Sequence, residues 1–203
     1  MNDLRAHFGE IDIYLFDQLL RGRFDGARTV LDAGCGAGRN LVFFLRNGFE
    51  VFGTDRDPAA IARVRRLAAE LAPSTPPDHF LHAPVEAMPF GDASMDAVLS
   101  SAVLHFASDE AHFEAMLREM WRVLRPGGLL FARLASTIGI EGRTEPLHGR
   151  RHRLPDGSER FVVDAAFLAG HAERLGAVLL DPLKTTVVQD LRAMTTWCLR
   201  KPG

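Results

Sequence analysis

The residues whose types and spacing could do chemistry begin at Asp32, in the run Asp32-Ala33-Gly34-Cys35-Gly36-Ala37-Gly38-Arg39-Asn40. Glycines 34, 36 and 38 let the main chain take conformations closed to residues with a Cβ and let a ligand come close to the backbone. Amides at the start of the following helix, from about Asn40, would then point at that ligand. A dinucleotide site would want G-x-G-x-x-G, and Arg39 stands where its third glycine would be. Asp55 ends the next apolar run, so it faces the same crevice as the glycine turn in an open parallel sheet. The chemistry implied is the binding of a small ligand. Cys35 reads as a small side chain in a crowded turn rather than a nucleophile.

These residues need strands that end at one edge and helices that return the chain. Residues 12–23 carry Ile13, Phe16, Leu19 and Leu20 at helical spacing, a leading amphipathic helix. Val30 and Leu31 open a strand, residues 41–45 form a short helix, and residues 49–54 form a second strand. A helix starts at Pro58 and runs to about Leu71, burying Ile61, Val64, Leu67 and Ala68. Residues 80–83 and 92–100 read as the third and fourth strands, residues 109–124 as a helix and residues 129–134 as a fifth strand after the turn Arg125-Pro126-Gly127-Gly128. Asp164 caps a further helix, and residues 178–180 and 194–199 are expected to close the sheet. The alternation predicts a three-layer α/β sandwich.

The G-x-G-x-G turn led by Asp32, with an acid ending the next strand, resembles motif I of the class I S-adenosylmethionine-dependent methyltransferases. The resemblance covers most of the chain from Arg28 on. It implies a Rossmann-like, doubly wound and mostly parallel seven-stranded sheet with its last strand antiparallel, and S-adenosylmethionine as cofactor. It assigns Asp32, Gly34, Gly36 and Gly38 to the cofactor turn, and gives Asp55, with Arg56 beside it, the ribose hydroxyls. Val85-Glu86-Ala87-Met88-Pro89-Phe90 resembles the family's adenine loop, although Pro84 stands where many members have an aspartate. Adenine would then be held by backbone at Val85 and Glu86 and by Met88. The segment from Ser100 to Phe106 lies in the family under the methionine part of the cofactor and opens on the substrate, which makes Ser100 and His105 candidate site residues. His105 is the first candidate general base or else a packed histidine. Tyr14, the only tyrosine, is the second candidate, placed near the substrate if the leading helix is a lid. Arg39-Asn40 also resembles the tellurite-resistance-type branch of methyltransferases.

Length favours a single domain, residues 1–203, with an N-terminal helical cover over 1–27 and an inserted loop and hairpin over 135–163. A net charge of -2 gives no general basis for holding nucleic acid. No stretch is apolar enough to span a bilayer and the N-terminus lacks a signal-peptide pattern, so a cytoplasmic protein acting on a small-molecule substrate is expected. Two cysteines, far apart and without metal-type spacing, predict reduced thiols and no metal site.

The insertion concentrates arginine. Arg143, Arg150, Arg151 or Arg153 either holds an anionic acceptor or the cofactor's carboxylate, or pairs with Glu145, Asp156 and Glu159 on a solvated hairpin. The expected reaction is methyl transfer to a small acceptor by in-line displacement. A non-catalytic S-adenosylmethionine-binding module keeps every motif named, and a nicotinamide-dependent oxidoreductase shares the sheet but lacks the glycine spacing.

Overall fold

The computed structural model describes residues 4–203. In chain order it contains α1 (Leu4–Phe8), α2 (Ile13–Leu20), β1 (Thr29–Ala33), α3 (Val42–Arg46), β2 (Glu50–Asp55), α4 (Pro58–Leu71), β3 (Phe80–His82), β4 (Met95–Ser101), α5 (Glu110–Val123), β5 (Leu124–Ser136), β6 (Glu145–His148), β7 (Arg151–Arg153), β8 (Glu159–Phe161), α6 (Ala165–Arg174), β9 (Val178–Leu179), β10 (Lys184–Val188) and β11 (Arg192–Arg200). The main sheet has the order β10-β11-β5-β4-β1-β2-β3, with β9 pairing outside this path on β11. Strands β3, β2, β1, β4 and β5 run parallel, and β11 lies antiparallel to both β5 and β10.

Alternation along the central strands sends side chains to both faces, so each face needs its own helical layer. On one face Val30, Ala97, Leu99 and Phe131 pack with Leu15 of α2, Phe44 of α3 and Ile61 and Val64 of α4. On the other, Leu31, Val98, Leu130 and Ala132 pack with Phe113, Leu117 and Met120 of α5 and Leu168 of α6. Aspartates start α2, α4, α5 and α6: the side chains of Asp12, Asp57, Asp109 and Asp164 each accept a backbone N–H of the first turn.

The structure departs from the sequence reading in several places. The main sheet has eight strands rather than seven. The turn Arg125-Pro126-Gly127-Gly128 lies inside β5 as an irregularity in its pairing with β4. The inserted hairpin is β7–β8, as expected, but β6 adds to it and makes a three-stranded antiparallel sheet. Residues 178–179 form only a short pairing on β11, and the penultimate strand is β10. That strand is β-branched through Thr185, Thr186, Val187 and Val188, a legible signal. Its turn is not legible: Gln189 and Asp190 both hold positive φ, 50° and 56°, in a turn that usually carries Asn or Gly.

Candidate active site

The glycine turn satisfies its own backbone. The amides of Gly34 and Cys35 donate to the Thr54 carbonyl at 2.8 and 2.9 Å, Gly38 N donates to the Cys35 carbonyl, and Leu41 N to the Gly38 carbonyl. The amide of Gly36 donates to Asp55 Oδ2 at 2.9 Å, while Asp55 Oδ1 accepts from Asp57 N at 2.9 Å. Asp55 therefore pins the turn to the start of α4, and each of its oxygens retains acceptor capacity. The helix expected to start at about Asn40 starts later. Helix α3 begins only at Val42, and the Asn40 side chain turns aside to accept from Asp12 N at 2.9 Å.

The three glycines have different reasons to be there. At Gly34, with φ +85°, a Cβ would sit 2.5 Å from Val103 Cγ2. At Gly38, with φ +83°, it would meet Leu67 and Val64 at 2.8 Å, so that position serves the packing of α4. At Gly36, with φ +53°, nothing lies within 4 Å: this backbone is open to close approach, beside Asp55.

A cleft of about 240 Å³ opens here between the carboxyl ends of the central strands, where the chain order reverses from β1–β2 to β4–β5. It is lined by Gly34, Asp55, Arg56, Pro84, Val85, Glu86, Ala102, Val103, Phe106, His112 and Met116. The structure thus brings Gly34, Asp55, Arg56, Val85 and Glu86 together. His112 Nδ1 accepts from Ser108 N, so its proton sits on Nε2, 3.4 Å from Glu86 Oε2. Met88 is displaced from the expected adenine contact: it is buried in the core, and Met116 takes the corresponding place in the cleft wall.

Asp32 and Ser100 lie behind the cleft rather than in its wall. Burial pushes the Asp32 carboxyl up to about 7, Arg39 opposing and Asp55 adding to the shift, and among the described residues no hydrogen bond reaches that carboxyl. Burial, reinforced by Asp32 and Asp55, also pushes the Cys35 thiol up, which leaves it an inert packed side chain. Ser100 shares a sheet face with Val98 and its buried hydroxyl has no partner. The neighbouring Ser101 is the serine that enters a network: it donates to Asp12 Oδ2 at 3.0 Å and accepts from Arg39 Nη2 at 3.0 Å.

A second cavity of about 350 Å³ adjoins the first and shares Ala102 and Phe106 with it. Ala102 holds φ +63°, a left-handed conformation unusual for a residue with a Cβ, and its amide donates to the Arg133 carbonyl at 2.7 Å. His105, Arg133, Leu154, Asp156, Ser158, Arg160 and Arg192 are among the other lining residues. His105 is buried and its Nδ1 has no partner. Burial, then Arg160 and Arg133, lower its pKa to about 4, so the ring is neutral at physiological pH. It can accept a proton or a hydrogen bond. Tyr14, by contrast, lines neither cavity: its hydroxyl pairs with Thr186 Oγ1 and its ring lies under the Arg133 guanidinium.

None of the four arginines expected to meet an anion lines either cavity. Arg143 pairs with Asp190 at 3.0 Å, Arg150 with Asp164 at 2.9 Å, Arg151 with Glu159 at 3.8 Å, and Arg153 with Glu145 and Glu159 at 2.9 and 3.1 Å. The arginines that do face the second cavity, Arg133, Arg160 and Arg192, come from β5, β8 and β11. No local signal could have grouped them. Among the described residues no group of three or more His, Cys, Asp or Glu is placed to hold a metal, and no helix is long and apolar enough to cross a membrane.

The sequence pattern of the methyltransferase-domain family matches residues 31–132, which span the glycine turn, Asp55 and the segment through His105. A malonyl-[acyl-carrier protein] O-methyltransferase of Herminiimonas arsenicoxydans is 34% identical over 194 residues, covering 87% of this chain and 68% of the relative. The chain belongs to the class I S-adenosylmethionine-dependent methyltransferases. Three curated relatives, each a malonyl-[acyl-carrier protein] O-methyltransferase, are longer proteins, of which the chain spans 39%, 68% and 46%. The fold is shared with the Burkholderia thailandensis 1,6-didemethyltoxoflavin-N1-methyltransferase, whose structure contains 1,6-didemethyltoxoflavin and S-adenosylhomocysteine (TM-score 0.69, 20% identity, 98% of this chain and 85% of that one). It is also shared with the [4+2]-cyclase SpnF (TM-score 0.74, 21% identity, 99% and 85%).

Residues present in this chain fit the family cofactor. The open backbone at Gly36 and the free acceptor capacity of Asp55 adjoin the cleft, and the buried, unpartnered carboxyl of Asp32 lies behind it, a set suited to a ligand carrying hydroxyls and positive charge.

Proposed function

We propose that this chain transfers a methyl group from S-adenosylmethionine to a small anionic acceptor by in-line displacement. The observation that carries the reading is the pair of adjoining cavities, one walled by the glycine turn and Asp55, the other by His105 and arginine, meeting at Ala102 and Phe106. When bound, the cofactor supplies an electrophilic methyl on a sulfonium. Asp55 holds the ribose hydroxyls, while Val85 and Met116 offer apolar contact to the adenine. Glu86 and Arg56 border the same cleft. The chain's main work is placement: holding acceptor and methyl carbon in line, away from water, is worth roughly 7 to 11 kcal/mol in favourable cases.

The test is calorimetry with S-adenosylhomocysteine and, separately, NAD. The expected outcome is binding of the first alone, and a ten- to hundredfold weaker affinity in Asp55→Ala, since hydrogen bonds to a charged partner are worth about 1.5 to 3 kcal/mol. NAD binding without a response to S-adenosylhomocysteine would overturn the reading. Binding with no label transferred from methyl-labelled cofactor to any small acid would leave a cofactor-binding module.

His105, which lines the second cavity, is proposed to receive a hydrogen bond or proton from the acceptor. His105→Ala should then lower kcat with S-adenosylhomocysteine affinity unchanged. Because the ring is neutral down to about pH 4, His105 should give kcat no inflection between pH 6 and 8. Its depressed pKa also predicts stability that is complete above 6.5 and lost as pH falls through 4, which acid titration of the fluorescence of Trp121 and Trp197 can follow.

A further inference from the structure

We infer that the second cavity anchors its acceptor by a single carboxylate held between Arg160 and Arg192, an inference that rests on the acceptor assignment above. The argument is a charge count over the cavity wall. Arg133 already has a counter-charge, its Nη1 lying 3.1 Å from Asp12 Oδ2, and Arg39, which shares that carboxylate at 3.6 Å, also lies within electrostatic reach of Asp32. Arg160 donates only to the backbone carbonyl of Glu159 and lies over the Phe106 ring, 5.0 Å from its centroid. The Arg192 side chain makes no hydrogen bond among the described residues, and neither guanidinium, Arg160 nor Arg192, has a carboxylate within 4.0 Å. Asp156 brings one negative charge to the same wall. Against the effect of its burial, hydrogen bonds from Ser158 and the proximity of Arg192 and Arg160 keep it ionised. Two unpaired guanidinium groups and one carboxylate leave one positive charge, which a monoanion balances and a dianion would exceed.

The placement adds a second argument. Arg160 belongs to the inserted sheet and Arg192 to the main one, so an anion between them ties the insertion to the body of the protein at the mouth of the cavity. Their planar forks suit a carboxylate. Leu154, Val188 and Met194 give the rest of the wall an apolar character that fits a short hydrocarbon body.

The probe is benzoate, titrated calorimetrically into the protein with and without saturating S-adenosylhomocysteine, against benzamide and the dianion phthalate. Benzoate is expected to bind more tightly than either. Arg160→Gln and Arg192→Gln together should weaken it about ten- to hundredfold, leaving S-adenosylhomocysteine affinity and the melting temperature of the ligand-free protein unchanged. Equal binding of benzoate and benzamide, no measurable benzoate binding, or unchanged affinity in the double variant would overturn the inference. Failure of S-adenosylhomocysteine to bind would instead count against the cofactor reading, because benzoate binding to the ligand-free protein is measured separately.

Discussion

Asp12→Ala is expected to destabilise the protein by about 3 to 5 kcal/mol, the loss typical of breaking a buried ion pair from one side. The Asp12 side chain is 2% exposed, lies 3.1 Å from Arg133 and 3.6 Å from Arg39, and accepts from Ser101. Its other oxygen accepts from Tyr14 N and caps α2. Alanine would leave Arg133, whose Nε already lacks a partner, without its counter-charge. Because this one carboxylate joins the leading helix to the ends of β4 and β5, its loss should also free α2 from the sheet. Urea denaturation measures the first effect and hydrogen exchange of the α2 amides the second. A loss under about 1 kcal/mol would show that the network contributes no more than an exposed pair.

Asp32→Asn should act in the opposite direction on the ligand-free protein. With the folded pKa at about 7 and the unfolded near 3.8, the folded state binds more protons between those values, and stability falls as pH rises across that window. Above pH 7 the penalty reaches about 4 kcal/mol, from a shift of roughly three units. The asparagine variant should therefore melt higher than the parent at pH 8 and close to it at pH 4. Binding should weaken in the same variant, on the proposed reading, because the ionised carboxylate balances the cofactor's positive charge. In the parent, binding near pH 6.5 should release a proton, visible as a dependence of the calorimetric heat on buffer ionisation enthalpy. A parent whose stability does not change between pH 4 and 8, with no advantage to asparagine, would remove the buried-carboxylate account.

The surroundings of the first cleft are largely legible in the sequence. Asp32 to Gly38 are consecutive, their backbone needs can be read from residue type, and Asp55 is found by following one strand to its end. Even there, details escape. Gly38 and Gly36 look alike in sequence, yet one faces α4 and the other open space, because only the packed helix distinguishes them. Ser100 and Ser101 differ by one residue and so point to opposite faces, and the serine nearer the network is the one that local pattern does not select.

The sequence by itself determined the fold class, the family and the family's cofactor, since these depend on short local patterns: alternating strands and helices, and a turn that only glycine can make. Tertiary structure alone decided the lining of the second cavity. His105, Arg133, Arg160 and Arg192 come from separate elements, and an arginine's role depends on whether a carboxylate happens to lie within reach. Arg150 finds such a partner at the start of α6 and Arg153 within the small sheet, whereas Arg160 and Arg192 do not and are left facing a cavity. Ion pairing acts through space at a few ångströms, and no spacing along the chain encodes it.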